Sequence, residues 1–392
     1  MMLCADFFAA ARREFAFLRG SVVDQLLWIW SPLVAVGLIL WLFSGGIPAG
    51  LPISVVDQDQ SASSRELIRR LSASRSVRVA LQAASMEEAW PQIRSAGVYA
   101  VVQVPSGWEV ERLRGGQKPV VLYNNLQFYL VAGLVSSAVR DTVASLAGEQ
   151  AILREARFGG GLDAARQRTT AVRADLRTLF NPQISYELYL GGMLTPLILH
   201  IYLVVMVVSA FGREFRNRSV AAWLEASNGR LMSAVLGKCL PALCLHFVLG
   251  LGLMGILTGL GGSTLGGNFA WWMGSMALMT LVSIALAVFL FSLTGDLRIA
   301  LSSVGVFVAT APAFSGFTFP LDAMGWFGNF WGHLLPITYY LELQQGQWMS
   351  GASLQAWAQG MLWLAAFGAF YTLVGIPMLK RQIANPKRWG RL

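Results

Sequence analysis

Residues 239–295 read CLPALCLHFVLGLGLMGILTGLGGSTLGGNFAWWMGSMALMTLVSIALAVFLFSLTG, 57 positions without an Asp, Glu, Lys or Arg. A helix rises about 1.5 Å per residue and needs about 20 apolar residues to cross the hydrocarbon core, so this stretch holds two crossings. Shorter charge-free runs at 25–56, 188–212, 299–321 and 343–379 hold one crossing each. The chain therefore reads as an α-helical polytopic membrane protein with six transmembrane helices, at about 25–43, 188–211, 239–259, 270–293, 299–317 and 357–379. A soluble fold of 392 residues with 55% hydrophobic and only 13% charged residues would lack the polar surface it needs.

The net charge of +9 is a matter of placement, not of a nucleic-acid surface. Three of the 30 basic residues precede the first span, five lie between spans two and three, one between four and five, and five follow the sixth; the other 16 fall in 44–187. The short connections at about 260–269 and 318–356 carry neither Lys nor Arg. Positive residues in short loops mark the inner side, which puts both termini in the cytoplasm and residues 44–187 outside. The basic, then apolar, start also fits a cleaved signal peptide. Its run of about 19 residues, with Trp28, Trp30 and Trp41 towards the ends and no small-x-small site after it, fits an uncleaved anchor better.

Residues 1–24 space Phe7, Phe8, Ala11, Phe15, Leu18 and Val22 as an amphipathic helix, suited to the inner interface with Arg12, Arg13 and Arg19 towards anionic lipid, or to ordinary packing. In 44–187, β-branched runs at Ile53–Val56, Val77–Leu81, Val98–Val104 and Val120–Tyr123 alternate with helix-like stretches at 61–72 and 85–96, the pattern of a small α/β domain. Helices at about 127–157 and 162–180, turning at Gly159-Gly160-Gly161, complete it as a hairpin. The five remaining spans occupy 188–379, with a basic tail at 380–392. Between spans two and three, Arg213, Glu214, Arg216 and Arg218 precede a helix whose Val220, Trp223, Leu224 and Ser227 share one face, suited to docking a soluble partner. Phe314, Phe317, Phe319, Trp326, Phe327, Phe330 and Trp331, with Pro320 and Pro336, suggest a broken or re-entrant helix pair over 314–340 and a candidate exit region.

The chemistry needed to power transport is missing. No G-x-x-x-x-G-K-[ST] occurs: Gly237-Lys238 is followed by Cys239, and Met232 stands where the first glycine belongs. No carboxylate falls inside a span, which disfavours ion coupling. His200 and His246 do fall inside spans, and either line a substrate path or are neutral imidazoles bonded to a neighbouring helix. Gly250, Gly252, Gly255 and Gly259 read as a close helix-packing face. Cys4, Cys239 and Cys244 have no metal-site spacing, and no catalytic set of side chains stands out.

The order of interface helix, span, large external domain and five further spans resembles the permease subunit of type 2 ABC exporters, in the subgroup with a large periplasmic domain. Ile53-Ser54-Val55-Val56-Asp57-Gln58-Asp59-Gln60-Ser61, Arg213-Glu214, Gly237-Lys238, Phe314-Ser315-Gly316-Phe317-Thr318-Phe319-Pro320 and Leu335-Pro336-Ile337-Thr338-Tyr339 carry the resemblance over essentially the whole chain. It departs at Ser219-Val220-Ala221-Ala222, where the family often has Gly-Thr and an acidic residue in the coupling helix. The resemblance implies a multi-pass protein of the bacterial inner membrane that exports an amphipathic, drug-like or lipid-like substrate. Its implied partners are a separate ATPase that holds ATP and Mg, a second permease copy or a sister permease, membrane lipid and a periplasmic adaptor. Arg213, Glu214, Arg216, Trp223 and Leu224 would then couple to the ATPase, and His200, His246, Phe314, Phe317 and Phe319 would line the path. The reading from a different class is a membrane-anchored sensor or assembly factor whose 44–187 domain binds an external ligand.

Overall fold

The structure, a computed structural model, describes residues 2–44, 48–114, 118–155, 187–259, 265–386 and 389–390. The chain forms two compact units, Met1–Gly46 with Leu179–Leu392, and Ile47–Thr178.

The first unit is a helical bundle with six helices long and apolar enough to cross a membrane among the described residues. An amphipathic helix, α1 (Met2–Gly20), precedes the first span, α2 (Val22–Phe43), which turns π-helically over Leu26–Trp30. The other spans are α3 (Gly192–Arg216), α5 (Leu231–Gly259), α6 (Phe269–Thr294), α7 (Leu297–Phe307, with a further turn at Ala311–Phe314) and α10 (Leu354–Ile383). A short helix, α4 (Val220–Glu225), links α3 to α5. The sequence places all six spans, but α3 and α5 run deeper than hydropathy indicates, because Arg213, Glu214 and Lys238 are paired inside the bundle. Helix α6 is central, packed on α3, α5, α7 and α10, and Asn268 and Gly295 cap its two ends.

The apolar segment after α7 is broken helix, as its prolines foretell: α8 (Trp326–His333), α9 (Pro336–Gln345) and a π-turn at Gly346–Ser350. Backbone bonds from Gly266 to Trp348 and from Gly267 to Gln347 tie this segment to the α5–α6 connection, at the end of the bundle opposite the Lys and Arg residues. We call the two ends aromatic and basic. The four-glycine packing face needs correction. A Cβ on Gly250 would strike the Met276 sulfur, whereas Gly252, Gly255 and Gly259 face open space. At about 100° per residue those three fall near the opposite side of α5 from Gly250, so one side packs and the other does not.

The second unit is a four-stranded sheet in the order β2-β1-β3-β4, with β1 (Leu51–Asp57), β2 (Val77–Ala83), β3 (Ala100–Val104) and β4 (Val121–Asn124). Strands β2 and β3 run parallel to β1, through crossover helices Ala62–Ala73 and Met86–Arg94, and β4 runs antiparallel to β3. Ile53, Val55 and Val56 are buried on both faces of the central strand, which explains why it reads as a continuous apolar run. The expected strand at Val98–Val104 starts at Ala100, and the helix Trp108–Leu113 has no counterpart in the sequence reading. The first hairpin helix appears as Tyr129–Glu155; the second, and its glycine turn, lie outside the described residues.

The Asp57–Ser61 string is the turn chemistry after β1. Asp57 Oδ1 accepts from the backbone N–H of Asp59 and Gln60 at 3.0 Å each, and the Ser61 hydroxyl accepts from Ser64 N–H at 3.0 Å. Burial raises the Asp59 carboxyl, but the Ser61 hydroxyl and the backbone N–H groups of Glu109, Trp108 and Gly107 outweigh it and hold the group below its usual value. Ser61→Ala removes the helix cap and should cost about 1 kcal/mol. Faster amide exchange at residues 62–65 of the full-length protein would register it, and unchanged exchange would refute the cap.

Candidate functional site

The basic end is built by α1. Ala10 and Ala11 are buried, and a Cβ on Gly237 would lie 2.6 Å from both Ala10 Cβ and the Phe7 carbonyl oxygen, so α1 rests directly on α5. That close approach brings Lys238 under α1. Its Nζ lies 2.6 Å from Glu14 Oε2 and 2.8 Å from Glu214 Oε1. Arg13 grips Glu214 with both terminal nitrogens, at 2.6 and 2.9 Å, and Ser219 donates to the same carboxylate at 2.5 Å. Arg213 pairs with Glu14 and, at 3.2 Å, with Asp24. Arg13 and Arg213 also sit 4.9 and 4.6 Å from the Phe17 ring centroid.

Three cations thus meet three carboxylates, so the network is charge-balanced although Glu14, Glu214 and Lys238 are almost wholly buried. Desolvated charges persist only when paired with an opposite charge. A second tie joins Asp6 to Arg230 at 2.7 Å and to Asn228 at 2.6 Å. Asp6, Ala10 and Glu14 recur every four residues on one face of α1, a signal that the aromatic spacing of that helix overshadows.

The structure divides the expected coupling residues. Glu214 and Trp223 face inward: Trp223 is 1% exposed, packs edge-on against Phe211 at 5.5 Å and donates its indole N–H to the Ala234 carbonyl. Leu224 and Arg213 are half-buried, whereas Arg216 is exposed. The amphipathic face of α4 is accordingly turned into the bundle, and Ala221, Ala222 and Glu225 form its free side.

The expected path residues also separate. His200 and His246 come together at one cavity of about 40 Å³ between α3, α5 and α6, lined as well by Met254, Met276, Met279 and Ser283. That volume suits a water or a small ion, not an amphipathic molecule. Phe314, Phe317 and Phe319 do not line it. Phe314 meets Phe327 edge-on at 6.4 Å, Phe317 lies 4.9 Å from the Tyr189 ring, and Phe319 is 52% exposed. A larger cleft of about 470 Å³ opens at the aromatic end, where Tyr339 and Trp363 stack at 5.8 Å and Trp357, His333 and Glu342 complete the wall. Its size falls in the range of small-molecule sites. Sequence reasoning missed Glu342 and Trp363, which stand in separate segments and meet only in the fold.

A family model described as ABC-2 family transporter protein matches residues 25–376. The chain belongs to the ABC-2 transporter family. No curated protein sequence matches it. The match runs from the first span into the last and leaves α1 outside it. This ABC-2 permease is a multi-pass membrane protein, and its family implies an ATPase partner within the transporter. The buried ion network and the cleft are therefore features of a permease at its two ends.

Proposed function

We propose that this permease is the translocating subunit of an ABC exporter in the bacterial inner membrane, working as a homodimer or with a sister permease and powered by a separate ATPase that holds ATP and Mg. The basic residues at one end of the bundle support cytoplasmic termini and an external 44–187 domain. A periplasmic adaptor would dock on that domain.

One observation carries the coupling model, the charge-balanced network that binds α1, α3 and α5. The ATPase contacts the free side of the inner loop, at Arg216, Ala221, Ala222 and Glu225. Glu214 and Trp223 act behind that surface by fixing the loop to the bundle. Because separating one partner from such a network costs about 3–5 kcal/mol, a push on the loop moves the three helices as one body. The bundle then tilts, and the aromatic end, with 314–340 and the adjoining cleft, releases an amphipathic substrate towards the outer leaflet.

The test is purification of the tagged permease from its native membranes, with identification of co-purifying chains and an ATPase assay. A stoichiometric ATPase whose activity needs the permease is the expected result. A single species without ATPase would overturn the exporter reading and favour a ligand-binding sensor. Within the complex, Glu225→Arg should leave thermal stability unchanged and reduce ATPase co-purification at least ten-fold, since it reverses charge only at the free surface. Full recovery of the ATPase with Glu225→Arg would place docking elsewhere.

A further inference from the structure

We propose that the mid-bundle cavity is a binding site for a soft monovalent metal ion of the Cu(I) class, held by His200, His246 and methionine thioethers. The assignment stands apart from the export reading and rests on where the protons of the lining groups go. His246 Nδ1 lies 3.1 Å from the Ala242 carbonyl oxygen, which can only accept, so Nδ1 carries the hydrogen and Nε2 is a bare lone pair. That Nε2 is buried and has no partner in the protein. Ser283 Oγ lies 2.7 Å from the Met279 carbonyl and 2.8 Å from His200 Nδ1; with its hydroxyl hydrogen on the carbonyl it accepts from Nδ1, the tautomer that frees His200 Nε2 for a metal. A ring N–H given to a backbone or hydroxyl oxygen, with the other nitrogen free, is how proteins present imidazole to a metal.

The remaining lining groups supply no donor either. Thr280 donates to the Met276 carbonyl at 2.8 Å, and Tyr340 donates to Gln344 at 3.0 Å. The side chains that line the cavity are thus acceptor types, the two imidazoles and the thioethers of Met254, Met276 and Met279, and His246 Nε2 is buried without a partner. Helical spacing gathers them, with His246, Gly250 and Met254 one turn apart on α5 and Met276, Met279 and Ser283 along one face of α6. Gly250 has a defined part, since any side chain there would occupy the space of the Met276 sulfur. Thioether with imidazole selects Cu(I) over hard cations. No lining residue is charged, so a divalent ion would enter without a counter-charge at a far greater desolvation cost than a monovalent one.

Ag(I), a stable soft monovalent ion, is the probe, applied to the purified full-length protein in chloride-free buffer. Cys4→Ser, Cys239→Ala and Cys244→Ser form the background, so that thiols do not compete. Equilibrium dialysis should give one Ag(I) per chain, with nitrogen and sulfur scatterers in its X-ray absorption spectrum. Met279→Leu conserves volume, and with His246→Leu it should weaken binding at least ten-fold without lowering the melting temperature of the metal-free protein by more than a few degrees. Absence of tight Ag(I) binding, or binding by either variant as tight as by the parent background, would overturn the assignment and leave the cavity to water.

Discussion

A Lys238→Met permease is expected to insert normally and to lose about 3–5 kcal/mol of stability at its basic end. The side chain stem is preserved, so packing changes little; the charge is what disappears. Glu14 and Glu214 then face each other with one cation fewer, and the network carries a net buried negative charge. What then holds α1 is the Arg13–Glu214, Arg213–Glu14 and Asp6–Arg230 pairs and an apolar contact to α5 made by small residues, its Phe8 and Phe15 being exposed. Trypsin should therefore cut at Arg12 and Arg19 far faster than in the parent. Adding Glu14→Gln restores the charge balance and should recover more than half of the loss. A single variant as stable and as protease-resistant as the parent would show that the network does not hold α1.

Trp223→Ala should cost a further large amount, about 3–5 kcal/mol, the usual result of removing a buried indole. The vacancy opens beside Phe211 and strips the Ala234 carbonyl of its indole N–H bond. Read as a docking side chain, Trp223 would lose ATPase binding with no change in melting temperature. Read from its burial, it loses both, and the loss of coupling follows the loosening of residues 217–230. Comparing the melting temperature of the permease alone with ATPase co-purification, for Trp223→Ala beside Glu225→Arg, separates the two roles. Trp223→Ala at parental stability would return the side chain to the docking surface.

The six spans and the inserted α/β unit were legible because each is a local matter. Twenty apolar residues must cross the membrane wherever they sit, and a short β-branched run between turn residues pairs as a strand. The Trp108–Leu113 helix escaped because six residues give too little period to read. The site was legible only in its residue types. Hydrophobic periodicity found the face of α4 through Val220 and Trp223 but not its direction, since an apolar face fits its own bundle as well as a partner.

What the sequence by itself determined is the membrane class, the number of crossings and the uneven charge at the two ends, all consequences of single-segment hydropathy. Only the tertiary structure decided that Glu14, 200 residues from Glu214, shares its buried lysine, that His200 and His246 meet at one cavity with three methionines, and that Glu342 and Trp363 line one cleft. Pairing of that kind is set by which helix lies against which. A one-dimensional pattern fixes what each helix must bury, and the choice of neighbour is made by close contacts such as Gly237 on α1 and Gly250 on Met276.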